Sequence, residues 1–227
     1  VEEFLWTQHA FEQSKEMEGA VAATISPARE LDKATAVSDE ETSVIHIAYQ
    51  HFRMGAGAIW LAKQIGTKTV IERLNEAINY VIRSRRDAKT GLIFRAHTSD
   101  WGDVKLEGGP HPTDLLPGDA ITGSIFDQSL AFRALGQIAE MNRAIGNEVL
   151  YSRYIALQAE IRSSAQANLW SDALGRYLIH KHLSRLPHPF DEEAIVSFGN
   201  AVSVHTGLAT QDQTRSILET LEEMAHR

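Results

Sequence analysis

The segment HTSDWGDVKLEGG, residues 97–109, holds two carboxylates three positions apart around a tryptophan and a glycine. A carboxylic acid beside an aromatic ring can serve as a general acid, because the ring excludes water and raises the pKa of the acid. These residue types make Asp100 the first candidate for a proton donor, Asp103 the second, and Trp101 a platform for a sugar ring. Gly102 would let the backbone approach a ligand closely. The alternative is that Asp100 only closes a turn and Trp101 only fills the core.

A second polar group, Asp127-Gln128, opens a long segment of helical periodicity. Both side chains could hydrogen-bond to sugar hydroxyls as substrate-binding residues. Equally, Ser124 or Asp127 could cap the helix, and Asp127 could complement its dipole. Asn200 lies inside another apolar helical segment, where a buried amide needs a hydrogen-bond partner. A loop backbone is favoured over a sugar as that partner, because most buried side-chain hydrogen bonds go to backbone.

Histidines and acidic residues raise the question of a metal. His180 and His182 form an H-x-H pair, and further histidines lie at positions 97, 111 and 188. A zinc site needs three or four convergent ligands, and no helical HxxxH or HExxH motif supplies them, so we expect no metal and no cofactor. A calcium site is more plausible than a zinc site, although the regular spacing of ligands in an EF-hand loop is absent. The hard oxygen ligands for calcium would come from the first long loop: Asp100, Asp103, Glu107, Asp114 and Asp119.

Composition narrows the classes of function. The 227 residues are 43% hydrophobic, carry a net charge of −8 and include no cysteine. The charge argues against nucleic-acid and anionic-membrane partners, and the lack of cysteine excludes disulfides and thiolate chemistry. No apolar run approaches the roughly 20 residues that span a bilayer. We therefore expect a cytoplasmic protein with a single helical domain over residues 1–227.

Hydrophobic periodicity predicts an all-α protein of about eight helices. Apolar residues recur every three or four positions in 71–86, 124–145 and 148–170, which is the period of one helix face. Gly146 is a predicted C-terminal cap, so the last two segments should form an antiparallel hairpin. Further helices are predicted over 39–55, in AIWLAKQIG up to residue 66, and over 192–207, with Thr210 as the N-cap of the last one. No strand pair is expected, and GLIF (91–94) and GRYLIH (175–180) are assigned as connectors.

Two connections, 88–122 and 172–190, are much longer than the others. Long loops in a compact domain are commonly functional. The first contains several apolar residues that could anchor it, including Trp101, Leu106 and Ile121. We therefore expect an ordered loop folded over one end of a helical array.

Together these motifs carry a family resemblance over about residues 42–227. The order is GLIFRAHTSDWGDV, then SIFDQSLAFRALGQIAEM, then GRYLIH, then a helix containing Gly-Asn-Ala. This order is similar to that of the six-hairpin glycosidases, including α-L-rhamnosidase-like and glycogen-debranching-like enzymes. The resemblance implies antiparallel helical hairpins of an (α/α)6 toroid, an inverting glycoside hydrolase and a carbohydrate substrate.

The resemblance also implies an incomplete toroid. Six hairpins require twelve helices, and no residue matches the glutamate that serves these enzymes as general base. Either the remainder of a longer chain or a second copy in a homo-oligomer completes the barrel, or the protein has lost the activity. The 227-residue chain by itself is expected to be inactive or weakly active. Two alternatives stay open: a catalytically silent helical carbohydrate-binding or assembly module, and a toroid sugar isomerase or epimerase that would use histidines for proton transfer.

Overall fold

The computed structural model describes residues 1–98, 102, 104–185 and 198–226. About 53% of these residues are helical, which confirms the predicted all-α class. The α-helices are α1 Glu2–Thr7, α2 Glu40–His51, α3 Gly57–Leu61, α4 Val70–Ser84, α5 Ile125–Ala144, α6 Glu148–Leu169, α7 Phe198–Thr206 and α8 Gln211–Ala225. A short 3₁₀ helix, Gln8–Ala10, follows α1, and a π-helical segment, Phe52–Ala56, follows α2. A helix with the length and apolar character of a membrane span is absent from the described residues.

The expectation of no strand pair was wrong. In the part of the chain that the structure describes, nine strands of two to four residues pair antiparallel: β1 Thr24–Ile25, β2 Leu31–Asp32, β3 Gln64–Ile65, β4 Lys68–Thr69, β5 Arg95–Ala96, β6 Ile121–Ser124, β7 Trp170–Ser171, β8 Arg176–Tyr177 and β9 His180–His182. Except for the four-residue β6, these strands are shorter than the four to eight residues over which an alternating pattern becomes visible. The segments assigned as connectors, 91–94 and 175–180, adjoin or include β5, β8 and β9.

The predicted hairpin of α5 and α6 is confirmed. α5 ends at Ala144 and α6 begins at Glu148, with Gly146 in the left-handed region at φ 81°. Gly136 of α5 lies against Gln158 of α6. Nearer the other end of the pair, the Arg162 guanidinium stacks 4.4 Å from the ring of Phe132. The two helices are therefore antiparallel.

The chain divides into two compact units. The first unit comprises residues 1–34, 38–86 and 133–158. Its centre is α4, which begins at a capping box where Thr69 accepts from the Glu72 N–H and Glu72 accepts from the Thr69 N–H. One face of α4 is fully buried through Leu74, Ala77 and Ile78, and α1 and α2 pack on this helix.

A buried ion triad, which we call the Lys33 triad, lies in the first unit. The Lys33 ammonium is 2.9 Å from a carboxylate oxygen of Glu40 and 2.9 Å from one of Glu41. Burial disfavours the Lys33 charge, but the two carboxylates outweigh burial and raise the pKa of Lys33. Burial raises the pKa of Glu40 to about 7, against the attraction of Lys33. One cation cannot neutralise two buried carboxylates, so Glu40 is the group that retains a proton near neutral pH.

The second unit comprises residues 35–37, 87–132 and 159–227. Thr210 caps α8 as predicted, since its side chain accepts from the Gln213 N–H and the Gln213 side chain accepts from the Thr210 N–H. The fully buried Asn200 of α7 hydrogen-bonds to both the N–H and the carbonyl of Tyr177, at 3.0 and 2.9 Å. The interpretation that Asn200 binds backbone rather than sugar is confirmed.

One predicted helix is too long. The segment AIWLAKQIG was assigned as helical up to Gly66, but α3 ends at Leu61. Gly66 has φ 68° and lies between β3 and β4, which pair as a hairpin. A glycine with positive φ occurs in tight turns between strands as well as at helix ends. The presence of a glycine in the sequence therefore does not distinguish a hairpin turn from a helix C-terminus. Residues 192–197 of the predicted helix 192–207 lie outside the described residues.

Candidate functional site

The two long connections meet in one three-stranded sheet. β5 lies within the first connection, 88–122, and β6 begins at the end of that connection. β9 lies within the second connection, 172–190. In this sheet Arg95 pairs with Thr122, and Thr122 pairs with His182. Side chains at paired positions point to the same face of a sheet, as do those two positions apart on one strand. Arg95, His97, His180 and His182 therefore share one face.

Asp127 is held at the edge of this sheet by two partners. Its carboxylate accepts a hydrogen bond of 2.6 Å from the Ser124 hydroxyl and lies 3.4 Å from the Arg95 guanidinium. The Asp127 N–H donates to the Ser124 oxygen at 3.1 Å. Ser124 therefore caps α5, as the alternative interpretation of this segment proposed. The side chains of Arg95 and Asp127 are each only 1% exposed.

The same arginine reaches the segment that contains the candidate acids. The Arg95 guanidinium donates a hydrogen bond to the carbonyl of Gly102. Gly102 and Asp127 are thus tied to one side chain. The other candidates of this segment, Asp100, Trp101 and Asp103, lie outside the described residues.

Gln128 is fully buried and holds backbone. Its amide oxygen accepts from the Ile93 N–H at 2.8 Å, and its amide nitrogen donates to the carbonyls of Ile93 and Ser124 at 2.8 and 2.9 Å. Gln128 therefore occupies both of its N–H donors with protein carbonyls. In this position it fixes the segment that leads into β5.

Three of the acidic residues considered for calcium lie apart, each beside a different basic side chain. Glu107 contacts His97 at 2.7 Å, Asp119 contacts Lys105 at 2.8 Å, and Asp114 lies 3.7 Å from His111. Hydrogen bonds from Lys105 and the Leu116 N–H lower the pKa of Asp119. These three carboxylates do not converge. The two remaining calcium candidates, Asp100 and Asp103, lie outside the described residues.

Three histidines converge on the shared sheet face. His97 follows β5, and His180 and His182 are the first and last residues of β9. Ring nitrogens of the three lie within 4.8 Å of one another, and their ring centroids are 4.8 to 5.4 Å apart in edge-to-face pairs. His97 and His180 are buried, and His182 is half-buried. We call this group the His97 cluster.

His180 is neutral at physiological pH. Burial is the largest of the causes that lower its pKa to about 3, and the nearby charges that His182, His97 and Arg95 can carry act in the same direction. A neutral imidazole has one nitrogen lone pair available for a hydrogen or a cation.

Sequence reasoning did not group these histidines. The HxxxH and HExxH motifs have helical spacing, whereas an H-x-H pair on a strand also places both rings on one face. The third member, His97, lies 83 positions before His180 in the chain and joins the pair only through the pairing of β6 with both neighbours. The H-x-H spacing was the one local signal available.

A groove of about 680 Å³ lies elsewhere in the second unit. Its described lining includes Trp170 and Asp172 at the end of α6, and Asp212 and Gln213 of α8. The Trp170 indole N–H donates to Asp172 at 2.8 Å, and its ring packs edge-on against Tyr177. Neither Asp127 nor Gln128 lines this groove.

Comparison with known proteins identifies the fold. No protein-family model and no curated protein sequence matches the chain. Among solved structures, the chain is similar to a rhamnosidase from Klebsiella oxytoca with rhamnose bound, at a TM-score of 0.59 and 15% identity over 96% of this chain. The chain spans 40% of the length of that rhamnosidase. The protein therefore has a mainly α-helical fold like that of part of this rhamnosidase.

Proposed function

We propose that the protein carries the acid side of a glycoside hydrolase active site, acting on an O-glycoside by inversion. The observation that carries the proposal is the Arg95 guanidinium, which contacts both the Asp127 carboxylate and the Gly102 carbonyl. This buried arginine holds the backbone of Gly102, which lies in the sequence between Trp101 and Asp103. The fold shared with a rhamnosidase supports a carbohydrate as the ligand.

Each residue of the segment has a role in this proposal. Asp100 protonates the leaving oxygen, and Trp101 packs on the sugar and raises the pKa of the acid by excluding water. Asp103 is the second acid candidate, and Gly102 gives the sugar room. An inverting enzyme places its acid and base about 6.5–9.5 Å apart so that a water fits between them.

Asp127 and Gln128 act behind the sugar site in this proposal. Asp127 keeps Arg95 oriented, and Gln128 anchors the strand from which the acidic segment departs. Completion of an (α/α)6 toroid, by the remainder of a longer chain or by a second copy, would supply the general base.

The test compares substrates that differ in their need for protonation. No residue of the chain matches the general base, so the 227-residue chain alone should hydrolyse glycosides very slowly or not at all. The completed barrel, as a longer parent chain or a homo-oligomer, is therefore assayed on alkyl and on activated aryl glycosides, beginning with α-L-rhamnosides, with and without Asp100→Asn. The variant should lose at least about 100-fold on alkyl glycosides, the lower end of what general acid catalysis contributes. It should lose much less on aryl glycosides, which leave without a proton.

The matched control is Asp114→Asn, an exposed acid of the same connection whose side chain is 40% exposed. This control should leave both rates unchanged. Equal losses on both substrates would assign Asp100 to binding or structure. Full activity of the 227-residue chain alone would mean that another of its carboxylates supplies the base, and absence of hydrolysis of every glycoside by the completed barrel would refute the hydrolase proposal.

A second candidate function is sugar binding without hydrolysis, favoured by the groove that contains Trp170. A half-buried indole beside a carboxylate and amides is a typical arrangement for a sugar face and its hydroxyls. Trp170→Ala should then abolish sugar binding measured by calorimetry while Trp101→Ala leaves it intact. The reverse pattern would place the sugar at the acidic segment and remove this candidate.

A further inference from the structure

We propose that the His97 cluster is a binding site for one divalent first-row transition ion of the zinc type. The inference goes beyond the proposed glycosidase function and does not depend on it, because binding is read without any sugar. It stands on the geometry of the sheet, on the carboxylate beside His97 and on the chemistry of the donor set.

The sheet brings three donors together from two distant parts of the chain. Thr122 pairs with His182 and Ser124 pairs with His180, so both β9 rings lie on the face that Arg95 also occupies. His97 continues that face, since its N–H donates to the Ala120 carbonyl at 2.8 Å and extends the ladder by one residue. The histidine backbones are therefore fixed by strand pairing before any ion binds.

The spacing of the ring nitrogens suits a common ligand. Zinc–imidazole bonds of about 2.0–2.1 Å in a tetrahedral site place ligand nitrogens roughly 3.4 Å apart. The three nitrogens lie within 4.8 Å of one another. Rotations of the imidazole side chains can bring the three nitrogens from this spacing to that of zinc ligands without a movement of the backbone.

Glu107 gives His97 the environment of a metal ligand. The His97 Nδ1 lies 2.7 Å from a Glu107 carboxylate oxygen. A carboxylate at this distance favours the tautomer with a proton on Nδ1, which turns the lone pair of Nε2 toward a cation. Carboxylate–histidine pairs of this kind orient and strengthen metal-binding imidazoles.

The donor set selects the class of ion. Three imidazoles suit zinc, copper, nickel and cobalt, whereas calcium and magnesium require oxygen ligands. Three protein ligands leave a fourth position for water or another ligand, as in open zinc sites. The charged groups near the rings are Glu107 and Arg95, and the Arg95 charge is balanced by Asp127.

The first experiment measures metal binding to the full, untagged chain after chelator treatment. Zinc is titrated in competition with a chromophoric chelator, and calcium is tested in parallel. We expect one equivalent of zinc per chain and no competition from calcium. Cobalt should give the intense visible absorption of a four-coordinate site.

Three variants test the assignment. His182→Gln, at the half-buried member, should weaken zinc binding by more than 100-fold. Glu107→Gln should weaken it by about 10–100-fold, the usual effect of losing a carboxylate behind a ligand histidine. His205→Gln, at an exposed histidine of α7, should bind zinc like the unsubstituted chain. Circular dichroism checks that each variant is folded.

Two results would overturn the proposal. One is a folded, unsubstituted chain that binds no zinc at micromolar concentration; the other is zinc affinity that His182→Gln and Glu107→Gln both leave unchanged. If His182→Gln fails to fold, X-ray absorption at the zinc edge of the unsubstituted chain decides the question. Three nitrogen ligands with the multiple-scattering pattern of imidazole are expected, and an oxygen-only shell would exclude the site.

Discussion

Replacing Arg95 with methionine should destabilise the protein strongly. Methionine keeps much of the volume of the side chain but removes a guanidinium that is 1% exposed and contacts the equally buried Asp127. Removing one partner of a buried ion pair costs about 3–5 kcal/mol, because the remaining charge stays buried. The Ser124 hydroxyl still donates to Asp127, so we expect the lower half of that range.

Arg95→Lys tests whether the positive charge of Arg95 or the planar shape of its guanidinium is needed. Lysine keeps the positive charge, but a single ammonium lacks the planar fork that serves Asp127 and the Gly102 carbonyl together. We therefore expect a smaller loss of stability than for methionine. Limited proteolysis should nevertheless cut near Gly102 faster in both variants than in the unsubstituted chain.

A double-mutant cycle measures the pair itself. Arg95→Met, Asp127→Asn and the double variant are compared by urea unfolding at pH 7, followed by far-ultraviolet circular dichroism. The double variant should be less destabilised than the sum of the single variants, by about 1–3 kcal/mol, since residues in contact couple by that amount. A change below about 0.5 kcal/mol for Arg95→Met, the size of an ordinary surface substitution, would refute the bridging role. A double variant whose loss of stability equals the sum of the two single losses would refute it as well.

Three further predictions follow from buried groups. Because the pKa of Glu40 in the Lys33 triad is raised, the folded state holds a proton that the unfolded state releases. The free energy of unfolding should therefore fall as pH rises from about 4.5 to about 7. Glu40→Gln should remove most of this pH dependence, measured by urea unfolding across the same range. Asn200→Ala should cost about 2–4 kcal/mol by the same assay, since a buried backbone N–H and carbonyl both lose their partner, and a loss below about 1 kcal/mol would contradict this. Gly123→Ala would place its Cβ 2.8 Å from Leu92 and should cost about 1–3 kcal/mol through overpacking, read as a lower melting temperature.

The helices were predictable because they repeat their pattern over many residues. α5 and α6 were expected over 124–145 and 148–170 and occur at Ile125–Ala144 and Glu148–Leu169. Each presents four or more turns of apolar periodicity, so an error of one residue does not change the pattern. The partner of Asn200 was also predictable in kind, because a buried amide must bond somewhere.

The sheet was not predictable, because its information is not local. β5 contributes two residues and β9 three, so neither shows an alternating pattern. The pairing partners are separated by 27 residues between Arg95 and Thr122 and by 60 between Thr122 and His182. Pairing over such distances depends on tertiary packing rather than on the segments themselves.

The role of Asp127 illustrates the same limit. Its position at the start of α5 was compatible with a cap, a dipole partner or a sugar ligand, and sequence alone left all three open. The structure shows Ser124 as the cap and Asp127 as the partner of Arg95. That partner lies 32 positions earlier in the chain, and no spacing rule connects an arginine to an aspartate at that distance.

The register of β6 links the two proposed sites. Thr122 is paired with Arg95 on one side and His182 on the other, so a single strand orients both the arginine beside the acidic segment and the histidines of the His97 cluster. Because successive side chains alternate between faces, a slip of one residue in β5 would turn Arg95 to the opposite face, and a slip of one residue in β9 would do the same to His180 and His182. Gly123 lies between Thr122 and Ser124 on β6 and faces the opposite side of the sheet. There the Leu92 side chain lies 2.8 Å from the position that a Cβ of residue 123 would take. Only a residue without a side chain permits that close approach, so this glycine fixes the register that both proposals need.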